Sequence, residues 1–589
     1  MAEFSTERRI LLAFTLSFLV LALWNYLGPK YEPPEPAPPE EPLVVELAPP
    51  PQVGPEEVAP LAAPGVLEAG EERLITVETE VATIELTNRG ARVRRWTLKQ
   101  FKQYDDEEGG PLDLVQGVTT ELGLPFSLEV ANPEEQETLN QALFVVETSW
   151  AELQAPVEVV FRWSDGELAA SKRFRFGAGY LLEVETEVTR AGQPLEHRVA
   201  WLGGFGDAAA DTAQFPAQVL LRTPEKVRRH PAAMATETDG VIFKSYPPFP
   251  YEGPAAYAGI EDRYFAAVFF PEAGSLTGTA ATVQWTPPAT PDNESPQPQP
   301  VGSVALGSPP GGTNRFQVFV GPKALEEVGP IGEQLGVPEL GNELVNFGFF
   351  WFVAKPIFLG MKWMYTGIPN YGWVIVGLTI LINLLLFPLK WKSLQSAFMM
   401  QKVAPQMRAI QARYKQYKFN DPRKQEMQKE IMALYKQHGV NPLGGCLPLL
   451  LQLPFFYGFY TVLSTAIELR QAPWFGWIQD LSQKDPYYVL PLLMGGMMYV
   501  STKMTPISTP DPAQQRMMQL FPLFLTFLFL QVSSGLVLYW TTSNVVGIAQ
   551  QWFINKRMRE RQEAEKLAAR EERRMKKKRH KQLPEAPDA

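Results

Sequence analysis

The C-terminal part of the chain carries a series of long apolar stretches, and this series limits the possible folds more than any other feature. A helix needs about 20 mainly apolar residues to cross the hydrocarbon core of a bilayer. Five stretches approach or reach that length, at 371–389, 442–466, 487–500, 517–531 and 535–554. We therefore predict a polytopic α-helical membrane protein with a core of five spans.

A further apolar run follows Arg8 and Arg9 and extends from Ile10 to about Leu27. A cleaved signal peptide is one interpretation. However, the run is long enough to span and has no small-x-small cleavage site near its end. We predict an uncleaved signal anchor over residues 1–28, which raises the number of spans to six.

The composition between the anchor and the apolar series indicates a tether followed by a β domain. Residues 29–69 are rich in proline and glutamate, so they have little to bury and are expected to be extended. From 70 to 335, short apolar runs alternate with polar residues at period two, as at 182–188, and turns such as Ser164-Asp165-Gly166 separate them. This pattern predicts a large all-β sandwich. The proline-rich segment 287–310 is expected to be a loop within it.

Residues 340–368 contain many aromatic side chains, but Lys355, Pro356 and Lys362 interrupt their apolar character. Amphipathic helices with large aromatic residues lie along membrane interfaces. We therefore predict an interfacial helix on the outer surface and not a further span.

The distribution of lysine and arginine sets the orientation of the predicted spans, because cytoplasmic loops carry an excess of these residues. Segment 390–440 holds eleven of them and the tail 556–589 holds thirteen, whereas the loop near 467–486 holds only Arg470 and Lys484. We predict an inner-membrane protein with both termini in the cytoplasm and the β domain on the outer side of the membrane.

Segment 390–440 carries two apolar stripes at helical spacing. Their members are Val403, Met407, Ile410 and Tyr414, and Met427, Ile431 and Leu434. Asp421 and Pro422 lie between the stripes as an N-cap and a first helical residue. The pattern predicts an antiparallel cytoplasmic hairpin, which is either a simple packed projection or a docking surface for the ribosome, anionic lipid or a targeting factor.

The tail contains a dense basic run at 573–579. Such runs bind phosphate backbones by releasing counterions, so ribosomal RNA is one candidate partner. Anionic lipids are equally compatible with the charge. A topology signal without a partner is the third interpretation.

The predicted core spans contain no acidic, basic or histidine residue. Proton-coupled transport and intramembrane proteolysis require such groups near the middle of the membrane. The four histidines do not have metal-ligand spacing, and the one cysteine, Cys446, allows no intrachain disulfide. We therefore expect no enzyme activity, metal, cofactor or small-molecule substrate.

The polarity that remains in the spans is neutral, and it includes Thr379, Asn383, Gln452, Thr541, Thr542, Ser543 and Asn544. Thr379 and Asn383 are four residues apart and so share one helix face. Hydrogen bonds between helices are the simpler explanation of such residues. The alternative is that several of them line a wet cavity.

Short motifs follow one another in order along residues 340–557. They are Asn441-Pro442-Leu443-Gly444-Gly445-Cys446, Gln452-Leu453-Pro454-Phe455-Phe456, Glu468-Leu469-Arg470-Gln471-Ala472-Pro473, Gln479-Asp480-Leu481-Ser482, Asp485-Pro486-Tyr487-Tyr488, and Ser534-Gly535-Leu536-Val537-Leu538-Tyr539-Trp540 followed by Ser543-Asn544. Together they resemble the YidC family of membrane protein insertases. The anchor and the β domain are similar to the Gram-negative form of this family in architecture and not in motifs.

The resemblance implies a function. Family members insert and help fold nascent membrane proteins, alone or beside the Sec translocon, and hydrolyse no nucleotide. Their five core spans enclose a polar groove that opens to the cytoplasm and to lipid and receives the polar parts of a client. The groove residues implied here are Asn383, Thr379, Gln452, Pro454, Tyr539, Trp540, Thr541 and Asn544.

One position departs from the family pattern. The groove usually carries an arginine five residues before the proline that ends the first core span. Here that proline is Pro388 and the aligned residue is Asn383. Because a neutral amide provides no net positive field for acidic client segments, we hypothesise that this groove relies on hydration and not on a charge pair.

Two functions of other classes remain as alternatives. A channel or lipid scramblase also uses a polar groove, but it conducts ions or flips lipid without any nascent chain. A membrane-anchored periplasmic binding module would have its function in the β domain, whereas the motifs lie in the spans.

Overall fold

A computed structural model describes residues 65–103, 110–116, 122–147, 152–207, 217–231, 249–272, 274–285, 299–308, 312–417, 421–439, 447–505 and 512–581. The predicted signal anchor at 1–28, almost all of the predicted tether at 29–69 and the motif at 441–446 lie outside these residues. The described part comprises a β domain followed by helices.

The strands of the β domain form three sheets. The first sheet contains β1 (Leu74–Glu78), β2 (Ala82–Thr87), β3 (Arg92–Lys102), β4 (Pro111–Asp113) and β7 (Glu152–Gln154), in the order β4-β3-β2-β1-β7. The third contains β5 (Ser127–Glu129), β12 (Arg198–Trp201), β15 (Phe249–Pro254), β18 (Ser275–Trp285) and β19 (Gln299–Gly307), in the order β15-β18-β19-β12-β5.

The second sheet is the largest. It contains β6 (Val145–Val146), β8 (Val157–Ser164), β9 (Leu168–Phe176), β10 (Leu181–Arg190), β11 (Gln193–Pro194), β13 (Gln218–Arg222), β14 (Val227–Pro231), β16 (Tyr257–Glu261), β17 (Phe265–Pro271) and β20 (Thr313–Pro322). Its order is β14-β13-β16-β17-β20-β10-β9-β8-β6, with β11 beside β10. A short helix, α1 (Pro133–Gln141), follows β5.

One hydrophobic core joins the three sheets, and it includes the buried rings of Phe126, Trp201 and Phe269. Strand β10 shows how the period-two pattern positions residues on this core. Leu182 and Val184 are buried, whereas Glu183 between them is exposed. The predicted β domain is confirmed, with three sheets instead of one simple sandwich.

The prediction of a loop over 287–310 is wrong for residues 299–307, where β19 lies between β18 and β12. Residues 287–298 lie outside the described part of the chain. Pro300 lies at the start of the strand, where a missing N–H is tolerated. Residues 301–307 are all buried, and a strand that is buried on both faces lacks the alternation of a half-buried strand.

The helices follow the β domain in order. They are α2 (Leu325–Gln334), α3 (Leu340–Leu344), α4 (Trp351–Tyr365), α5 (Tyr371–Leu385), α6 (Phe387–Arg413), α7 (Arg423–Gln437), α8 (Leu447–Thr465), α9 (Val489–Met504), α10 (Pro512–Phe529) and α11 (Ser534–Lys581), with a 3₁₀ turn at Ile467–Leu469. Helices α5, α8, α9, α10 and α11 coincide with the five predicted apolar stretches, apart from shifts at their ends.

Helix α4 has the two faces expected of an amphipathic helix. Ile357 and Met361 are buried on one face, whereas Trp351 and Trp363 are 61% and 73% exposed. The buried face packs on α5 and α8. The side chains thus agree with the sequence pattern, including Pro356 inside the helix.

Helix α5 ends at Leu385, earlier than the predicted end of the span at 389, and α6 begins at Phe387. Pro388 lies in the first turn of α6, where its missing N–H costs nothing. The two helices meet at an angle of 57°. By length and hydropathy, no single described helix qualifies as a membrane span, and α5 and α6 qualify only as this bent pair.

Helices α6 and α7 pack against each other as a helical hairpin, and its predicted cytoplasmic location stays a prediction. The apolar stripe on α6 meets that on α7 in two small clusters, one of which contains Met407, Ile410 and Ile431. The second helix begins at Arg423, one residue later than expected. Pro422 is the N-cap residue, so the predicted N-cap at Asp421 is wrong by one residue. The Asp421 carboxylate accepts a hydrogen bond from the Arg423 N–H from the position before the cap.

Helix α11 is 48 residues long, which corresponds to about 72 Å at 1.5 Å per residue. It continues without a break from the last apolar stretch into the basic tail. Ile554 and Met558 pack on Phe398 of α6, and Lys402 pairs with Glu565 at 2.9 Å. The tail helix and the hairpin are therefore joined at their base.

The β domain contacts the helical core through a buried ion pair. The Arg470 guanidinium lies 2.5 Å from the Asp207 carboxylate, and the two side chains are 1% and 2% exposed. Arg470 also donates to the carbonyl of Lys102, and Arg263 donates to the carbonyl of Ser464 at 2.7 Å. These contacts join the loop after α8 to three segments of the β domain.

A second, more exposed group of charges reinforces this contact. The Lys362 ammonium of α4 lies 2.7 Å from Glu326 of α2 and 3.2 Å from Glu468. Burial by itself lowers the pKa of Lys362, but the two glutamates outweigh that effect and hold the pKa above its usual value. The helical core is thus fixed to the β domain at two places.

We expect Asp207→Ala to destabilise the protein strongly. The substitution leaves the buried Arg470 cation without its carboxylate, which typically costs about 3–5 kcal/mol. Thermal unfolding of the full chain in detergent measures the effect. Glu183→Ala, which removes an exposed partner of Arg175, is the matched control and should cost less than about 1 kcal/mol.

The double variant Asp207→Ala with Arg470→Met should be more stable than Asp207→Ala alone, because it removes the unpaired charge as well. Equal losses for Asp207→Ala and Glu183→Ala would contradict the view that the buried pair carries this contact.

Candidate functional site

The polar face of α5 begins at its N-terminus. Asn370 caps the helix, since its side chain accepts a hydrogen bond from the Trp373 N–H. Thr379 is completely buried, and its hydroxyl donates to the Ile375 carbonyl at 2.6 Å. One turn later, the Asn383 amide donates to the Thr379 carbonyl at 2.8 Å. The two predicted residues therefore lie on one buried face.

Asn383 is also the point where α5 meets α11. Its amide nitrogen lies 3.4 Å from the Ser543 hydroxyl oxygen, and its backbone carbonyl accepts a bond from the Gln550 amide at 2.9 Å. The same Ser543 hydroxyl accepts a bond from Gln452 of α8 at 3.3 Å. We call Thr379, Asn383, Gln452, Ser543 and Gln550 the polar junction.

A cation reaches the polar junction from the next helix. The Lys390 ammonium of α6 donates to the Asn383 side-chain oxygen at 2.6 Å. The amide at position 383 is neutral, as the sequence indicates, but a positive charge lies beside it. A cation thus lies within hydrogen-bond distance of the neutral amide, while a groove that relies on hydration stays a prediction.

One atom of the polar junction has no hydrogen-bond partner among the described residues, the buried side-chain oxygen of Gln550. The amide nitrogen of Asn544, which follows Ser543 in the sequence, is likewise buried without such a partner. Burying such a group unpaired costs about 1–3 kcal/mol. Water or a polar group of a bound chain gains a hydrogen bond at these atoms, which is the property required of a hydrated groove.

The aromatic residues carried over from the family lie in a packed cluster beside the junction. Tyr539 stacks on Phe459 with ring centres 4.2 Å apart. Trp540 makes edge contacts with Phe456 and Phe529. Such pairs stabilise by about 0.5–1.5 kcal/mol beyond their buried area. This aromatic cluster holds α8, α10 and α11 together.

The other two predicted residues make local contacts. Thr541 is buried, and its hydroxyl donates to the Val537 carbonyl of its own helix at 2.7 Å. Pro454 lies half-buried inside α8, two residues after Gln452. The structure thus brings Thr379, Asn383 and Gln452 together. Asn544 directly follows Ser543 in the sequence.

Sequence reasoning omitted three residues from the site, and each left a signal. Ser543 was recognised as polar but not selected. Gln550 lies within the last apolar stretch, seven residues after Ser543 and so on the same helix face. Lys390 is likewise seven residues after Asn383, but the predicted end of the span at 389 separated the two.

Among the residues that the structure describes, no group of three or more histidine, cysteine, aspartate or glutamate side chains is placed to hold a metal ion. The site consists of neutral hydrogen-bonding groups, one lysine and aromatic rings. This arrangement is suited to binding and solvating a polar segment of a chain.

Comparison with protein-family models gives two matches that together cover most of the described chain. Residues 74–359 match the YidC periplasmic domain, and residues 363–562 match the 60Kd inner membrane protein family. The first match ends at residue 359 and the second begins at 363, so the boundary between them falls within α4.

Similar proteins include three that carry the name membrane protein insertase YidC. That of Syntrophus aciditrophicus is 31% identical over 583 residues, which is 93% of this chain and 99% of the relative. That of Azotobacter vinelandii is 32% identical over 82% of this chain and 84% of the relative. That of Wolinella succinogenes is 48% identical over 228 residues, 39% of this chain and 41% of the relative.

Solved structures give weaker similarity. An active YidC insertase with its first transmembrane domain resolved is 19% identical and covers 82% of this chain and 93% of its own, with a TM-score of 0.34. YidC from Thermotoga maritima is 14% identical and covers 82% of this chain and 99% of its own, with a TM-score of 0.27.

Proposed function

The chain belongs to the YidC family of membrane protein insertases, and from this premise we propose how its own residues perform insertion. It is an inner-membrane insertase with a large β-rich periplasmic domain, and its clients are nascent membrane proteins. The observation that supports the proposed site is the polar junction, where α5, α8 and α11 meet through Asn383, Gln452 and Ser543.

The proposed mechanism is solvation of the client's polar residues within the membrane. A charged residue at the centre of a bilayer costs about 2.5–3.5 kcal/mol on insertion scales. Hydrogen-bonding groups and water around the polar junction reduce this cost, while the apolar part of the client moves into lipid. No bond is made or broken, so the protein acts as an insertase and chaperone and not as an enzyme.

The proposed groove is closed on its outer side. The aromatic cluster of Tyr539 and Trp540 packs beside the polar junction, and Arg470 and Asp207 fix the β domain to the loop after α8. In this arrangement Pro454, Thr541 and Asn544 shape the walls, whereas Thr379 and Asn383 form the floor on α5.

The proposed topology has six spans: the anchor at 1–28 and the five segments that contain α5, α8, α9, α10 and α11. Both termini and the hairpin of α6 and α7 lie in the cytoplasm. The charge distribution supports this orientation. The length of α11 supports this orientation as well. The helix is about 72 Å long, whereas the hydrocarbon core is about 30 Å thick, so the basic half of the helix extends beyond the hydrocarbon core.

The proposed partners follow from charge. The basic end of α11 and the hairpin, joined by Lys402 and Glu565, form a cationic surface for ribosomal RNA or anionic lipid headgroups. The Sec translocon is the proposed partner for larger clients. Domain boundaries near 335 and 370 separate the periplasmic part, the interfacial helix and the insertase core.

Single-cysteine labelling tests the topology. In a Cys446→Ser background, we expect Glu167→Cys in the β domain to react with a membrane-impermeant maleimide in intact spheroplasts. Lys415→Cys in the hairpin should react only after lysis. Labelling of both positions before lysis would refute the proposed orientation.

Replacement of the insertase in a depleted bacterium tests the function. We expect this chain to restore protease-protected insertion of a small single-span client, because small clients need no translocon. Purified protein in vesicles should neither conduct ions nor flip lipid in the absence of a nascent chain. Failure to insert, together with conduction or lipid flipping, would instead favour a channel or scramblase.

A further inference from the structure

A groove on the β domain lies apart from the polar junction. Helix α2 forms one wall, and the loop between β9 and β10 forms the other together with the adjoining parts of β10 and β20. The groove encloses about 560 Å³, which is within the range of about 300–1,000 Å³ that is typical of ligand sites. Its rim is open to solvent, since Glu183 on β10 and Gln334 on α2 are exposed. We call it the α2 groove.

Tyr180 contributes a buried polar side chain to the lining of the α2 groove. The residue is 5% exposed, and its ring packs against Phe319 with ring centres 6.3 Å apart. Its hydroxyl has no hydrogen-bond partner in the part of the chain that the structure describes. Burial and the negative charge of Glu327 raise the pKa of this hydroxyl to about 12, so it keeps its proton at neutral pH. A ligand in the groove therefore gains a hydrogen bond at Tyr180.

The carboxylates that line the α2 groove are not all paired. Glu183 lies 3.0 Å from Arg175, and Glu326 lies 2.7 Å from Lys362 of α4. Glu327 has no ion-pair partner among the described residues. Because three carboxylates and one guanidinium belong to the lining, the groove attracts a cation, and Glu327 is the carboxylate available to it.

The rest of the lining is partly apolar. Leu181 on β10 and Ile331 on α2 are half-buried and belong to the two different walls. A lysine or arginine side chain combines a charged end with an apolar stem, so it matches a carboxylate next to apolar walls. A hydrated metal ion gains nothing from such walls. The buried hydroxyl of Tyr180 suits a backbone N–H or C=O group beside that side chain.

The α2 groove lies next to the contact between the β domain and the helical core. Glu326 of its lining binds Lys362 of α4, and Lys362 also lies 3.2 Å from Glu468 in the turn after α8. Under the proposed topology, a polypeptide that leaves the helical core on the outer side of the membrane passes close to this contact.

We propose that the α2 groove binds the translocated segment of a client through a lysine or arginine side chain. The cationic end pairs with Glu327, the stem lies between Leu181 and Ile331, and the Tyr180 hydroxyl bonds to the backbone of the segment. This inference rests on the proposed insertase function and assigns a client-binding site to the β domain.

Two fluorescent peptides test the chemistry of the site. They consist of serine, threonine and leucine and are identical except for one central residue, which is lysine in one and glutamine in the other. The measured quantity is the ratio of their dissociation constants for the full chain in detergent, determined by fluorescence anisotropy. The lysine peptide should bind about two- to fivefold more tightly, the range expected for one exposed ion pair.

Three variants separate the roles of the lining residues. Glu327→Gln should abolish the preference for lysine. Tyr180→Phe should weaken both peptides by a similar factor and keep the preference, because the hydroxyl binds the backbone. Glu333→Gln is the matched control, since it removes an exposed carboxylate of the same helix that does not line the groove, and it should leave both affinities unchanged.

Photo-crosslinking in cells identifies the chain that enters the groove. A photoreactive residue in place of Gln334 should crosslink to the translocated segment of an inserting single-span client. Glu167 is the control position, because it lies at the opposite end of β9 from the groove, about 30 Å away at 3.3 Å per residue, and it should give no such crosslink.

Equal affinities of the two peptides, or loss of the preference in Glu333→Gln and not in Glu327→Gln, would overturn the proposal. A crosslink from position 334 to a resident membrane protein and not to the client would also overturn it. Protease protection of the same client measures insertion separately. A client that is inserted without the crosslink contradicts only this inference, whereas a client that is not inserted contradicts the proposed function.

Discussion

The hydrogen bonds of Asn383 are the interaction on which the helical core depends. Its amide and backbone carbonyl connect α5 to Ser543 and Gln550 of α11 and to Lys390 of α6. In hydrocarbon, a polar group without a partner is costly, so these residues determine how the helices are placed. In the proposed mechanism, the groups that connect the helices are also those that solvate a client's polar residues.

The β domain and the aromatic cluster provide the rigid frame around that junction. Arg470 and Asp207 connect the domain to the loop after α8, while Trp540 packs between Phe456 and Phe529. The core therefore has a packed end at the β domain and a separate polar part. Under the proposed function, polar client segments are solvated where the lysine and amide groups converge.

The sequence predicted the elements that have a clear period. The alternation at 182–188 identified β10, and the stripes on α6 and α7 identified the hairpin. Strand β19 was missed because residues 301–307 are all buried, so its sequence shows no alternation of apolar and polar residues. The contact between Lys390 and Asn383 was missed because it depends on the bend after Leu385. The ion pair between Arg470 and Asp207 was missed because these residues lie far apart in the chain. Periodicity reports local burial, whereas these contacts arise only from the tertiary fold.

Photo-crosslinking of a stalled nascent chain tests the central claim most directly. A photoreactive residue at Gln452, in the polar junction, should crosslink to the hydrophilic segment of a single-span client. One at Leu523, which is 72% exposed on α10, should crosslink to the apolar segment. Crosslinking of the hydrophilic segment at Leu523 and not at Gln452 would contradict the assignment of the polar junction as the groove that receives the client.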